Sequence, residues 1–239
     1  MDIGKSFSYT FEDDRWVTKS LLGAVVAAIP IVNFALAGYL IDLLKNVMDG
    51  AARPLPEWSE FGEKWMKGLM VFVASLIYAI PILILSCIPL TLLGGAASLS
   101  GGNMQDNLAG LLTGVGGLFG CLIVIYALLL TFIYPSIYIH YARLGTFGAF
   151  FEFGKVWGII SKDFGQYITA WLISLVAGLV VGVIVGIISA VLGIIPCIGW
   201  ILSWIISAIG GVFVFFIYGH LFGQVGAQSS TSMTVPPAE

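Results

Sequence analysis

Five long apolar runs, separated by short polar segments, dominate the pattern of hydrophobic and polar positions along this chain. The runs cover residues 20–44, 68–93, 108–139, 167–195 and 200–222. About 20 consecutive apolar residues are enough for a helix to cross the hydrocarbon core of a bilayer. The pattern therefore predicts an all-α fold, a polytopic transmembrane helical bundle.

The first apolar run is interrupted near its middle by Pro30 and Asn33. Proline kinks a helix, and each half of this run is too short to span a membrane alone. We favour a kinked or re-entrant first segment followed by four full spans, with Asn33 as a buried cap of the broken helix. The alternative is five spans, which would place Lys5, Arg15 and Lys19 outside, against the positive-inside rule.

The pattern E-F-G-x-x-W occurs twice, at 60–65 and 152–157, and each copy closely precedes a long apolar run. A further aromatic stands two positions before each glutamate, so the rings repeat at i, i+3 and i+7, which is one face of an α-helix. The residues that define the two copies are Trp58, Glu60, Phe61 and Trp65 in the first and Phe150, Glu152, Phe153 and Trp157 in the second.

Aromatic rings on one face and charges on the other are typical of a helix that lies in a membrane interface. We therefore predict an internal duplication with two interfacial amphipathic helices, from Pro56 to about Lys67 and from about Phe147 to Ile160. The paired glutamates are interpreted as structural, each able to pair with a basic residue of the other copy.

Composition agrees with a membrane protein, because 59% of the residues are apolar and 10% are charged, against about 25% charged in soluble domains. Lys and Arg concentrate in 45–67 and 140–165, so these segments and the C-terminus are predicted to be cytoplasmic. Residues 1–222 are predicted to form a single membrane domain. Residues 223–239 are predicted to be a flexible tail from their composition.

Small residues at a spacing of four mark the third and fourth apolar runs. Glycine at this spacing lets helix backbones approach closely in lipid. Packing within the chain is the favoured interpretation, and contact with a second copy or with a partner is the alternative. The glycines concerned are Gly110, Gly114, Gly116, Gly120, Gly178, Gly182 and Gly186.

Catalytic motifs are absent from the sequence, and the central parts of the last four runs carry no charge. We therefore expect neither an enzyme nor a proton-coupled transporter, and predict no metal site. His140 and His220 stand near the predicted cytoplasmic ends of two spans. They are interpreted as interfacial histidines, with joint binding of a tetrapyrrole as the alternative.

The segment 50–62 reads G-x-x-x-P-L-P-E-W-x-x-F-G and is followed by Lys-Gly-Leu at 67–69. An aromatic and acidic stretch at 11–16 precedes Lys19, and Ile-Pro at 29–30 lies in the first apolar run. In these features the chain resembles, over roughly residues 6–225, the prokaryotic membrane-protein family called domain of unknown function 4013. The resemblance implies a polytopic membrane protein and no activity, cofactor or catalytic residue.

Three functions remain open from the sequence. The first is a structural or accessory subunit of a homo- or hetero-oligomeric membrane complex. The second is a transport or handling protein for small solutes or lipids, with the break at 30–33 as its site. The third is a tetrapyrrole-binding membrane subunit. The expected partners are membrane lipids and a membrane protein or second copy, without nucleic acid.

Overall fold

The computed structural model describes residues 1–99, 105–195 and 197–231, with side-chain surroundings for 1–89, 116–195 and 197–229. The described part is all-α, as predicted. Two 3₁₀ turns, Tyr9–Glu12 and Phe147–Phe151, accompany the helices. The helices are α1 (Ile3–Ser8), α2 (Trp16–Ala28), α3 (Phe34–Met48), α4 (Phe61–Leu99), α5 (Gln105–Leu144), α6 (Phe153–Lys162), α7 (Phe164–Leu192) and α8 (Ile198–Thr231).

Four helices contain stretches that are long and apolar enough to cross a membrane. Each stretch has 29 residues or more, and about 20 suffice. The prediction of a helical bundle with four spans is therefore confirmed at the level of helix number, length and composition. The stretches are Phe61–Pro89, Gly116–Leu144, Phe164–Leu192 and Ile198–Ser229.

The first apolar run is divided into α2, with 13 residues, and α3, with 15 residues. The residue before a proline avoids the helical region, and Ile29 is accordingly extended, which ends α2. Ile31 then takes the left-handed conformation with φ of 72°, and α3 begins at Phe34. Trp58 contacts both Gly23 of α2 and Tyr39 of α3, so the two helices form an N-terminal hairpin.

The N-terminus lies beside the C-terminal half of α8. The backbone N–H of Asp2 donates to Oε1 of Gln224 at 2.6 Å, and the hydroxyl of Tyr9 donates to the carbonyl of Phe216 at 2.9 Å. The hairpin packs along α8, from Val212 near the middle of that helix, which Gly23 approaches, to Gly223, which lies beside Val47 at the end of α3. The first run therefore returns to the end at which it starts, as in the four-span arrangement.

Two predicted boundaries are wrong. No helix begins at Pro56, because contacts with the N-terminal hairpin hold residues 54–58 in a non-helical conformation and α4 begins at Phe61. The flexible tail does not begin at residue 223, because α8 continues to Thr231. The glycines of this part of α8 allow close packing against α3, because a Cβ on Gly223 would lie 2.5 Å from Val47. Residues 232–239 lie outside the described part.

The predicted single membrane domain is divided into two compact units. One contains Met1–Phe72 and the described residues from Pro135 onward, and the other is Val73–Tyr134. Within the second unit, the hydroxyl of Tyr126 donates to the carbonyl of Tyr78 at 3.0 Å. The candidate site described below belongs to the first unit.

In the first unit, helix backbones approach closely at Gly38 and Gly68, which do not belong to the predicted four-residue glycine pattern. A Cβ on Gly38 of α3 would lie 1.8 Å from the carbonyl oxygen of Lys64, and one on Gly68 of α4 would lie 1.6 Å from that of Phe34. Any larger residue at either position would separate α3 from α4. These two glycines therefore fix the crossing of the two helices.

The glycines that were predicted to pack helices lie in more open surroundings. A Cβ at Gly116, Gly120, Gly182 or Gly186 would meet no described atom within 4 Å, and one at Gly178 would reach only Val214, at 3.8 Å. Among the described residues, no packing partner is thus seen for Gly116, Gly120, Gly182 or Gly186, and contact with a second copy or a partner stays a prediction. Gly110 and Gly114 lie outside the residues whose surroundings are described.

Candidate functional site

The first E-F-G-x-x-W copy and the residues before it are held by the N-terminal hairpin through a buried lysine. Nζ of Lys19 lies 2.7 Å from Oδ2 of Asp13 and 2.8 Å from Oε1 of Glu57. It also donates to the carbonyl of Leu55 at 2.9 Å. Lys19 and Asp13 are both buried, so the ammonium is stabilised because its three donors have three acceptors.

The carboxyl group of Asp13 responds to this environment. Burial by itself would raise its pKa, but hydrogen bonds from the Lys19 ammonium and the Arg15 backbone N–H outweigh burial and hold the pKa below its usual range. The charged pair is therefore the stable form at neutral pH.

Both tryptophans of the first copy are hydrogen-bonded to the hairpin. The indole N–H of Trp58 donates to the carbonyl of Lys19 at 3.0 Å, and its ring stacks on Tyr39 with centroids 4.6 Å apart. The indole N–H of Trp65 donates to the carbonyl of Ile31 at 2.9 Å. The first copy consequently ties α4 to the hairpin and belongs to the framework of the fold.

The second copy forms α6, and its rings have different surroundings. Phe153 is 61% exposed and Trp157 is 60% exposed. Phe150, which was predicted to share their face, is buried and stacks on Tyr141 with centroids 4.3 Å apart. That part of the prediction is wrong because residues 147–151 form a 3₁₀ turn, which breaks the helical spacing between Phe150 and the other two rings.

A cavity of about 470 Å³ lies between α5, α6 and the C-terminal end of α8. We call it the α6 cavity. Gly154 and Gly158 help to keep it open, because a Cβ on either would meet no described atom within 4 Å. The lining residues are His140, Arg143, Leu144, Glu152, Gly154, Lys155, Gly158, Ile159, Lys162 and Ser229.

Two basic side chains of the α6 cavity are held in place by the end of α8. Nη2 of Arg143 donates to Oγ of Ser229 at 2.5 Å and to the carbonyl of Gly226. Nζ of Lys162 donates to the carbonyl of Ser229 at 2.8 Å. The acceptor atoms of Gly226 and Ser229 are uncharged, so these bonds position the two side chains without adding a negative charge.

The remaining charged groups of the cavity are Lys155, Glu152 and His140. Lys155 is exposed and makes no ion pair with a described residue. Oε2 of Glu152 lies 2.9 Å from Nε2 of His140, so its partner is not the basic residue of the other copy that was predicted. Three permanent cations therefore face one carboxylate, and the cavity favours an anion.

The two histidines have separate partners. Nδ1 of His220 lies 2.9 Å from both Oγ of Ser6 and Nε2 of Gln224, and its ring stacks on Tyr9. His140 instead bonds Glu152 at the α6 cavity. The tetrapyrrole alternative gains no geometric support from this placement. Within the described residues, no three His, Cys, Asp or Glu side chains are grouped as metal ligands.

Two other predicted polar roles change in the structure. Asn33 precedes α3 but is exposed, and its side chain makes no capping hydrogen bond, so the predicted buried cap is wrong. Glu60 acts through its backbone: with φ of 55°, its carbonyl accepts from the N–H of Glu63 and of Lys64 at the start of α4.

Sequence reasoning missed most of the α6 cavity. Arg143, Lys155 and Lys162 contributed only to the predicted charge of a loop, and Ser229 was assigned to a tail. The available signal was the concentration of basic residues around one copy of the repeat. Ser229 carried no such signal, because its position depends on the packing of α8 against α3.

Comparison with known proteins gives a family and nothing closer. No curated protein and no solved structure matches the chain. The model of the family described as protein of unknown function (DUF4013) matches residues 21–190. This match covers more than half of the chain and includes both E-F-G-x-x-W copies, most of the N-terminal hairpin and α6. The resemblance seen in the sequence is therefore confirmed: the chain belongs to the DUF4013 family.

Proposed function

We propose that this integral membrane protein binds anionic phospholipids through their phosphate groups in the α6 cavity. The role is one of lipid binding and handling and not of catalysis. The observation that carries the proposal is the presence of three permanent cations and one carboxylate in the lining of a single cavity, beside a helix that also carries the exposed rings of Phe153 and Trp157.

The position of the cavity supports a lipid ligand. One of its lining residues, Leu144, is the last residue of a membrane-spanning stretch, and another stretch begins at Phe164, two residues after Lys162. Helix ends lie at the depth of lipid headgroups, where tryptophan and tyrosine are enriched. The exposed rings of Phe153 and Trp157 fit that depth, and Trp157 is the type of residue that anchors there.

The chemistry of the lining also supports an anionic amphiphile. Arginine and lysine bind phosphate oxygens by charge-assisted hydrogen bonds. Basic pockets between membrane helices recognise anionic headgroups. Leu144 and Ile159 supply apolar surface beside the cations, which suits the glycerol carbons next to a phosphate.

The charge distribution supports a cytoplasmic location for this end of the molecule. The sequence has ten Lys and Arg residues, and all of them lie within residues 5–67 or 143–162. The N-terminus and the end of α3 pack against the C-terminal end of α8, and Arg143 and Lys162 bond to Ser229 there, which supports placing these charges at one end of the first unit. By the positive-inside rule, this end and both termini are cytoplasmic in a prokaryotic cell membrane.

A lipid titration followed by native mass spectrometry tests the proposal. The protein, purified in mild detergent, is titrated with phosphatidylglycerol, with phosphatidylcholine and with soluble glycerol phosphate. We expect clear preference for phosphatidylglycerol over phosphatidylcholine, because only the first is an anion. Weaker binding of glycerol phosphate would identify the lipid as the ligand, and equal binding would identify the phosphate alone. Equal affinity for the two lipids would contradict the proposal.

A matched pair of variants locates the binding. Lys155→Gln with Lys162→Gln removes two cations of the cavity. Lys5→Gln with Arg53→Gln removes two exposed cations that do not line it. At about 1 kcal/mol per cation, the first variant should bind phosphatidylglycerol roughly 30-fold more weakly, and the second should be almost unchanged. Equal losses of phosphatidylglycerol affinity in both variants would mean that the lipid responds to the overall charge of the protein and not to the α6 cavity.

An accessory subunit is the second candidate, and the glycines of α7 favour it. Gly182 and Gly186 lie four residues apart, and a Cβ added to either would meet no described atom within 4 Å, which suits close approach by another helix in lipid. Gly182→Leu with Gly186→Leu should dissociate a second copy or a co-purified membrane protein. An unchanged mass of the purified particle would contradict this role.

A further inference from the structure

A second cavity adjoins the α6 cavity and shares two of its residues. It has a volume of about 170 Å³, and we call it the α3 cavity. Arg143 and Leu144 line both cavities, so these two residues lie at the boundary between them. The other lining residues are Ile41, Asp42, Lys45, Lys67, Tyr141, Ala142 and Gly145.

The α3 cavity also carries a surplus of positive charge. Its one carboxylate, Asp42, is already paired with two lysines, since Oδ1 lies 2.7 Å from Nζ of Lys67 and Oδ2 lies 3.3 Å from Nζ of Lys64. Lys45 is exposed and makes no ion pair with a described residue. The carboxylate is thus neutralised, while Lys45 adds a positive charge that can attract a ligand.

The two cavities share three features. Each contains one exposed lysine outside any described ion pair, Lys155 in the α6 cavity and Lys45 in the α3 cavity. Each also contains a lysine held by an oxygen acceptor, which is the carbonyl of Ser229 for Lys162 and the carboxylate of Asp42 for Lys67. Arg143 lines both cavities and is anchored by Ser229 and by the carbonyl of Gly226.

We propose that the two cavities together bind one lipid that carries two phosphate groups, of the diphosphatidylglycerol class. One phosphate lies in each cavity and Arg143 lies between them. The inference rests on the proposed function and narrows its ligand. A lipid with one phosphate fills the α6 cavity alone, so the second phosphate adds affinity without a second loss of translational freedom.

Single-lysine variants separate the two cavities. Lys45→Gln and Lys155→Gln make the same chemical change at exposed lysines outside any described ion pair, so neither is expected to disturb the fold. Both are titrated by native mass spectrometry with diphosphatidylglycerol and with phosphatidylglycerol. Soluble glycerol bisphosphate serves as the probe for a headgroup without acyl chains.

The wild-type protein should bind one diphosphatidylglycerol at least tenfold more tightly than its first phosphatidylglycerol. Lys45→Gln should weaken diphosphatidylglycerol binding roughly fivefold, by the value of one cation near a membrane surface, and leave the first phosphatidylglycerol unchanged. Lys155→Gln should weaken both lipids. If glycerol bisphosphate binds as tightly as diphosphatidylglycerol, the ligand is a soluble bisphosphate and not a lipid.

Two other outcomes overturn the inference, and they are distinguishable from failure of the proposed function. If phosphatidylglycerol binds and diphosphatidylglycerol binds no more tightly, the α3 cavity takes no second phosphate. If Lys45→Gln weakens both lipids equally, the two cavities do not act separately. If neither anionic lipid is preferred to phosphatidylcholine, the proposed function itself is wrong.

Discussion

The two E-F-G-x-x-W copies share a sequence pattern and differ in what packs against them. In the first copy, Trp65 donates to a backbone carbonyl of the N-terminal hairpin, and the neighbouring Trp58 does the same. In the second copy, Phe153 and Trp157 are largely exposed. No second hairpin exists in the described chain to cover them. The rings that the hairpin holds in the first copy therefore have largely exposed counterparts in the second copy.

The basic residues near the two copies also differ in their partners. A surface cavity of about 370 Å³ also borders the first copy, but its cations are neutralised. Arg15 and Lys19 both pair with Glu57, and Lys19 also pairs with Asp13. In the α6 cavity, Arg143 and Lys162 are held by uncharged oxygens. The two copies therefore differ in whether the nearby cations are neutralised, and we propose that this difference, and not the repeat itself, determines which copy binds a ligand.

Replacement of the buried lysine should have the largest effect on stability. Lys19→Met leaves the buried carboxylate of Asp13 without its main partner, which should lower the free energy of unfolding by roughly 3 to 5 kcal/mol. The matched variant in the second copy, Lys155→Met, should change the free energy of unfolding by less than about 0.5 kcal/mol. Chemical or thermal unfolding in detergent measures both. Similar losses of unfolding free energy in the two variants would contradict the claim that only the first copy is part of the structural framework.

Acid should weaken the first copy through Asp13. The folded state holds the pKa of this carboxyl below its ordinary value, which is about 3.9 in an unfolded chain. Its contribution to stability is therefore complete above the unfolded pKa and is lost as the pH falls through the folded pKa. We expect the melting temperature to fall as the pH is lowered through and below the ordinary pKa of an aspartate, and to fall less in Asp13→Asn. An identical acid dependence in the variant would exclude Asp13 as a cause.

The two tryptophan N–H groups offer the smallest and most closely matched test. Trp65→Phe removes the hydrogen bond to the carbonyl of Ile31 and should cost about 1 kcal/mol of the free energy of unfolding. Trp157→Phe removes a ring N–H with no partner of this kind in the described part and should cost less than about 0.5 kcal/mol. Equal costs would mean that the hairpin contact of Trp65 contributes nothing to the stability.

The long-range hydrophobic pattern was sufficient to predict the four long helices and the broken first run. Helix ends were harder to predict. Pro56 and Glu57 are locally typical of a helix start, but the contacts of Leu55, Glu57 and Trp58 with α2 override that local preference. Gly223 and Ser229 were assigned to a tail, because the amino-acid composition of this segment gives no information about the packing of α8 against α3.

The candidate site was only partly predictable for the same reason. The repeat and the basic segment around it pointed to the correct region, and His140 and Glu152 were both selected. Their contact with each other was not predicted, because it depends on the 3₁₀ turn between α5 and α6. Single-sequence reasoning also could not find the α3 cavity, whose residues come from α3, α4 and the end of α5.

The most direct test of the central claim is a phosphatidylglycerol titration of two equivalent glycine variants. Gly154 and Gly62 hold the same position in the two copies, and a side chain would have free space at both, but only Gly154 lines the α6 cavity. Gly154→Leu should fill part of the cavity and reduce the affinity at least tenfold, while Gly62→Leu should bind like the wild type. Equal affinities in both variants would contradict the assignment of the ligand to the second copy.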